Sequence, residues 1–464
     1  MNTFYNSPQR PGKAKQIHDM ILGLDTLVEL GNKTKVPAIN LDNAATTPPF
    51  KIVAQEIQSQ MMYYSSIGRG IGQKSEHTND IYTNGRDTVL DFVGADKDNY
   101  TAFYVNSTTE GMNKLASALI TSPQDMVLTT RMEHHANDLP WRLRAGTVFV
   151  EVDDKGRLIM DQFEQMLSRF RGRIKFVTVT AASNVTGYVN DVHYIARIAH
   201  KYGARIIVDG AQIVAHRSFR MLGNCPEENI DFFVFSAHKM YSPYGGGAVV
   251  GLRSVLNQNV PQFYGGGMIE TVTDQKVFFT ESPDLYEAGS PNYPGVVGMI
   301  TAMKTLKNIG FSYIEKHGQI LLKTALRELG KIPEITLYGD CEKFSDRVGI
   351  ITFTVKGTEN ETVSHLLASY SAIGVRDAAF CAHPYVRRLT NELDVRMDEN
   401  GSPLPPKGMI RISFGIYNTV ADIQSLVNTI KLVLQSGESI ACDGNSVSSV
   451  CSNGTACRRP CDRC

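Results

Sequence analysis

The chain of 464 residues has no excess of charge of either sign, because 47 Lys and Arg stand against 47 Asp and Glu. Balanced charge removes the electrostatic drive toward a polyanion, so neither nucleic acid nor an anionic membrane surface is expected as a partner. Long apolar runs are missing as well, and none approaches the ~20 residues that a bilayer-spanning helix needs. The stretch from Met1 to Arg10 is polar and holds no signal-peptide core, which makes a cytoplasmic location the expectation. Cysteine is scarce through the body of the chain, where Cys225, Cys341 and Cys381 are widely dispersed. A disulfide-stapled scaffold is thereby excluded, and these thiols are read as packing residues or as a reactive group in a reducing compartment. Apolar residues, by contrast, make up 42% of the chain, enough for two or three domains at ~150 residues each and for a large buried core.

Periodicity organises that material. Ile17, Met20, Ile21, Leu24, Leu27, Val28 and Leu30 recur at helical spacing ahead of Gly31 and predict an amphipathic helix over 17–30. From about residue 40 to 305, short β-branched or aromatic runs alternate with helical patterns such as 192–202. The runs are 102–105, 126–130, 176–180, 205–208, 232–235 and 248–252. Strands separated by helices imply an α/β fold with a mostly parallel sheet covered on both faces. Beyond 305 the pattern becomes helix (320–329), strand (348–355), helix (362–370), a Gly/Pro loop (400–408), strand (409–414) and helix (420–434), a smaller α+β domain. The expected organisation is therefore an N-terminal helix (1–37) packing with the small domain, a large domain (38–305), the small domain (306–436) and a flexible Cys-rich tail (437–464).

In an open α/β sheet ligands bind outside the C-terminal strand ends, so chemistry is sought directly after each strand. The first run is followed by Asn106-Ser107-Thr108-Thr109-Glu110-Gly111 and an Ala/Leu-rich helix, whose N-terminus suits a phosphate. Asp209 follows the 205–208 run, and an ionised carboxylate among apolar neighbours wants a cationic partner. Ser236-Ala237-His238-Lys239 follows the 232–235 run, and a lysine there is costly to bury unless its amine is neutral or engaged, as in a Schiff base with an aldehyde. Taken singly, Ser107 or Thr108 reads as an N-cap, Asp209 as a helix cap and Lys239 as a snorkelling cation. Together they supply the three fixtures of a pyridoxal phosphate site, namely a pyridinium partner, a Schiff-base amine and a phosphate anchor.

Motifs in a fixed order extend this pattern: Leu41-Asp42-Asn43-Ala44-Ala45, Ser107-Thr108-Thr109-Glu110-Gly111, Met132-Glu133-His134-His135-Ala136-Asn137, Ser183-Asn184-Val185-Thr186-Gly187, Val208-Asp209-Gly210-Ala211-Gln212, Ser236-Ala237-His238-Lys239, Glu287-Ala288-Gly289-Ser290-Pro291-Asn292 and Arg411-Ile412-Ser413-Phe414-Gly415. On these residues, over roughly 38 to 435, the chain resembles the cysteine desulfurase and selenocysteine lyase family of fold-type I, class V aminotransferase-like enzymes, most closely its SufS-type branch. The resemblance implies that Lys239 holds the cofactor, Asp209 keeps its ring nitrogen protonated, His134 stacks on the ring and Gln212 donates to the ring hydroxyl. It further implies phosphate contacts from Thr108, Thr109, Ser236 and His238, and one from Ser290 reaching into the neighbouring subunit of a homodimer. Asn184, Arg411 and Arg376 resemble substrate-binding residues, the first two gripping the α-carboxylate.

Cys381 resembles the family nucleophile that takes sulfur from L-cysteine as a persulfide, releases alanine and hands the sulfur to an acceptor protein, as in Fe–S cluster assembly. Two departures from the family pattern lie nearby. Gly72 stands where close relatives carry histidine, and Asp377-Ala378-Ala379-Phe380 replaces the usual Thr-Gly-His-His. The alternative is a related class V enzyme, whether a selenocysteine lyase, a cysteine lyase, an aminotransferase or an epimerase, which would use Lys239 and Arg411 but not Cys381. The tail lies outside the resemblance. There Cys451, Cys457, Cys461 and Cys464 interleave with Arg458, Arg459 and Arg463, a pattern read as a Zn site, a sulfur relay or an inert appendage.

Overall fold

The computed structural model describes residues 12–436, except 69, 260 and 262. Helix α1 (Gly12–Met20) opens the described chain. It departs from the expectation of a helix over 17–30, because Gly23 turns the backbone with φ +81° and Leu27–Glu29 then pairs antiparallel with Lys35–Pro37. All three residues of that strand are exposed, so the apolar spacing across 24–30 does not mark a buried helical face. The helix packs across the boundary at 305. Ile17 shares an apolar cluster with Phe50 and Val89 on one side and Leu306 on the other, Lys13 Nζ donates to Ile309 O at 3.1 Å, and Leu30 and Val36 reach Ala372 of the C-terminal region.

Seven strands build the central sheet: β1 (Tyr100–Val105), β2 (Met126–Thr130), β3 (Gly146–Val150), β4 (Ile174–Thr180), β5 (Arg205–Asp209), β6 (Phe232–Ser236) and β7 (Gly247–Leu252), in the order β1-β7-β6-β5-β4-β2-β3. The block from β6 to β3 is parallel, whereas β7 runs antiparallel to both its neighbours. Alternation along the strands feeds two apolar layers. Ile206, Val208, Phe233 and Phe235 face one layer, and Ile207, Phe232 and Val234 face the other. Burial on both faces explains why these strands read as continuous apolar runs.

Helix α2 (Thr108–Leu119) covers the second face through Met112, Leu115 and Leu119. It lies close because Gly111 has no side chain; a Cβ there would sit 2.6 Å from Val234 and 2.8 Å from Val249. Helices α3 (Val192–Lys201) and α4 (Tyr293–Ile309) cover the first face. After α5 (Phe311–Leu329) comes a four-stranded antiparallel sheet of β8 (Ile335–Tyr338), β9 (Ile350–Val355), β10 (Arg376–Ala378) and β11 (Met409–Ser413), ordered β8-β9-β11-β10. It buries Ile351, Phe353, Ile410 and Ile412 against α5, α6 (Asn360–Ser371) and α7 (Val420–Ser436) in a core of its own.

Candidate functional site

The C-terminal ends of β1, β5 and β6 open onto a cavity of about 220 Å³. Its floor comes from the large sheet. Asp209 ends β5, 4% exposed, and among the described residues its carboxylate takes one hydrogen bond, from Ala211 N at 2.9 Å. Burial raises its pKa, while the hydrogen bond and the nearby Lys239 ammonium pull the other way. Lys239 follows β6 and is surrounded by protein except where it faces the cavity. Desolvation brings its amine down to about 8, with Asp209 opposing and Arg411 assisting. Such an amine is substantially neutral at mildly alkaline pH and competent as a nucleophile.

The third fixture is the start of α2. Ser107 caps the helix by accepting Glu110 N, and Ser236 Oγ accepts Thr108 N at 2.7 Å while it meets Thr108 Oγ1 at 2.8 Å. Helix N–H groups and clustered hydroxyls form an anion cradle. His134 enters from the segment after β2. Its Nδ1 accepts Ala136 N at 3.0 Å, which places the ring proton on Nε2. Desolvation, with Lys239 next, lowers its pKa to about 3, so the ring is neutral. Behind it, buried Glu133 accepts from Thr130 Oγ1, Asn137 Nδ2 and Thr180 N, and desolvation raises its pKa to about 8. The buried Asp209, which has no salt-bridge partner among the described residues, the desolvated Lys239 amine and the anion cradle together fit pyridoxal phosphate.

The opposite wall comes from the second sheet. Arg411 on β11 is 3% exposed. It donates to Asn184 O at 3.1 Å and pairs with Asp42 at 2.8 Å, and its buried Nε has no partner among the described residues. A guanidinium with an unused donor beside a cavity suits a carboxylate. Asp42 is brought beneath it because Asn43 Nδ2 donates to Ser413 O at 2.9 Å and Ser413 Oγ accepts Ala44 N at 2.8 Å. Asn184 belongs to the turn 183–187, which the fully buried Arg347 holds through Nε to Thr186 O at 2.8 Å, while its Nη1 donates to Asp340 O at 2.9 Å and its Nη2 to Ile350 O at 3.2 Å.

Cys381 sits in the loop after β10. Phe380 and Cys381 have φ +54° and +52°, a left-handed conformation that costs a side-chain-bearing residue about 1 kcal/mol. Asn184 Nδ2 donates to Phe380 O at 2.8 Å, and Arg411 lies 4.9 Å from the centre of the Phe380 ring.

Lys239, Asp209, His134, Gln212, Thr108, Thr109, Ser236, His238, Asn184, Arg376, Arg411 and Cys381 all line this one cavity. Ser290 does not; it lines a second cavity of about 240 Å³ with Glu110, Lys114 and Glu287. No group of three or more His, Cys, Asp or Glu suited to a metal occurs among the described residues, and Cys451, Cys457, Cys461 and Cys464 lie outside them. Sequence reasoning missed Asp42, whose motif was visible but whose role depends on β11, and His135, whose partners are distant in the chain.

Comparison with known proteins agrees with this geometry. The model of the family described as "Aminotransferase class-V" matches residues 39–426. A protein named "Probable cysteine desulfurase 1" from Mycobacterium leprae is 34% identical over 413 residues, covering 87% of this chain and 63% of the relative. A "Cysteine desulfurase" from Haloferax volcanii is 32% identical over 403 residues, covering 85% of this chain and 89% of the relative. The chain thus spans less than two thirds of the mycobacterial relative and most of the archaeal one. The apo structure of a cysteine desulfurase from Thermococcus onnurineus NA1 superposes with a TM-score of 0.76 at 27% identity, over 86% of this chain and 95% of that one. The chain therefore belongs to the aminotransferase class-V family and has the fold of that family's cysteine desulfurases.

Proposed function

We propose that the chain is a pyridoxal phosphate-dependent L-cysteine desulfurase that releases L-alanine and passes sulfur through Cys381 to an acceptor protein. The observation that carries this reading is the meeting of Lys239 and Asp209 from one sheet with Arg411 and Cys381 from the other in a single cavity. When bound there, the cofactor supplies an electron sink for the bonds at the substrate Cα. In this reading Lys239 holds it through the amine and moves the Cα proton, and Asp209 keeps a proton on its ring nitrogen. Thr108, Thr109, Ser236 and His238 hold its phosphate, and His134 and Gln212 its ring. Arg411 and Asn184, with Arg376 at the rim, orient the substrate carboxylate.

The Cys381 thiolate then attacks the substrate sulfur. An S–S bond forms and the Cβ–S bond breaks; its electron pair stays on carbon, which takes a proton and leaves as alanine. The transferred sulfur remains on Cys381 as a persulfide, oxidised by the two electrons that the carbon has gained.

The placement of Ser290 away from its own chain's cavity supports a homodimer in which it serves the neighbouring subunit. The same reading takes 38–305 as the cofactor-binding domain and 306–436 as the domain that carries Arg411 and Cys381. No helix among the described residues is long and apolar enough to cross a membrane, in keeping with the proposed cytoplasmic location.

The test is turnover of L-cysteine by the purified chain loaded with pyridoxal phosphate. Alanine and sulfane sulfur should appear in equal amounts, and Cys381→Ala should abolish sulfur release while leaving the cofactor's visible absorbance in place. Full sulfur release by that variant would replace this reading with the related lyase.

A further inference from the structure

The Cys381 loop is braced by a residue to which the desulfurase reading gives no task. His135 follows His134 and opens the short 3-10 turn His135–Asn137. Its backbone N–H donates to Cys381 O at 2.6 Å, and its ring Nε2 accepts the His383 N–H at 3.3 Å. The two bonds take hold of the loop on either side of Ala382. The rings of His135 and His383 also meet edge to face with their centres 4.7 Å apart. A brace matters here because Phe380 and Cys381 hold positive φ without being glycine, a conformation that persists only where surrounding structure over-determines it.

The geometry fixes the chemical form of the ring. A backbone N–H donates only to an unprotonated nitrogen, so His135 carries its proton on Nδ1 and is neutral. Burial, with His383 and Arg142 beyond it, holds the pKa down to about 4 and keeps the ring in that form near neutral pH. His134 takes the other tautomer, because its Nδ1 is the acceptor. The adjacent histidines thus divide the work: one faces the cavity and the other holds the loop.

We propose that His135 is a positioning residue whose neutral Nε2 and backbone N–H clamp the Cys381 loop in its left-handed form and so present the thiol to the cavity that holds Lys239. Its part in turnover rests on the desulfurase reading, whereas the clamp itself can be measured without it.

The experiment compares His135→Leu, which removes the acceptor, with His135→Gln, whose carbonyl oxygen restores one, in protein loaded with pyridoxal phosphate. In His135→Leu, sulfur loading of Cys381 from L-cysteine should fall about tenfold while alkylation of Cys381 by iodoacetamide rises by a similar factor, as expected for loss of a partly buried hydrogen bond. Cofactor absorbance should be unchanged, and His135→Gln should return both rates to roughly the unmodified values. Unchanged rates in His135→Leu, or a glutamine variant as impaired as the leucine one, would overturn the clamp. If the unmodified protein loads no sulfur from cysteine, the desulfurase reading fails, and the alkylation contrast still decides the clamp. If His135→Leu does not fold, nitrogen NMR of labelled histidine in the unmodified protein decides it: a proton on Nδ1 supports the clamp and a proton on Nε2 refutes it.

Discussion

The two walls of the cavity are built on different principles. The floor is regular, since Asp209 ends a strand, Lys239 follows one and Thr108 begins a helix packed tightly on the sheet. The opposite wall is irregular, with a buried arginine that keeps an unused donor and a thiol in a strained loop. A rigid floor suits groups that stay bound through many cycles. In the proposed reaction, a loop held in a left-handed form by bonds from other elements presents the thiol to the cavity.

The sharpest way to break this comparison is at the floor. Lys239→Ala should abolish turnover of any amino acid and leave pyridoxal phosphate removable by dialysis; retained turnover would show that Lys239 is not the attachment point. Asp209→Asn should keep the cofactor bound but slow exchange of the substrate Cα proton by roughly 10²-fold or more, as expected when charge stabilisation at a buried site is lost. A near-normal exchange rate would mean that another group holds the ring proton.

The irregular wall should respond more mildly. Arg411→Lys keeps the charge but loses the planar fork, and kcat/KM for L-cysteine should fall about tenfold to a hundredfold, mostly through KM. An unchanged KM would place carboxylate recognition elsewhere. The smallest effect expected is one of pH. The Lys239 amine titrates near 8 and reacts only when neutral. Capture of pyridoxal phosphate by apoprotein should therefore quicken as pH rises through about 8 and level off above it. A rate flat across that window would refute the lowered pKa.

The same contrast explains how much the sequence discloses. Asp209, Lys239 and the Thr108 cradle are legible because strand ends and helix starts leave period and capping signals. The Cys381 loop is identified through family resemblance alone: nothing in Ala379-Phe380-Cys381 announces two left-handed residues, and the bonds that hold them come from Asn184 and His135, remote in sequence. Strand β3 escapes notice because it lies at the sheet edge and is only partly buried, so it lacks the continuous apolar run of the central strands. The error over 17–30 has a local cause, since one glycine at positive φ ends a pattern that the apolar spacing continues.

Arg347 bears on how the molecule can move. It lies between β8 and β9, yet its guanidinium is satisfied by the carbonyls of Thr186 and Ile350 as well as that of Asp340. Parting the two halves along this line would break its charge-assisted bond to Thr186 O, at a cost of about 1.5–3 kcal/mol. The seam is therefore tied at a buried cation, whose bonds couple the turn that carries Asn184 to the sheet that carries Arg411.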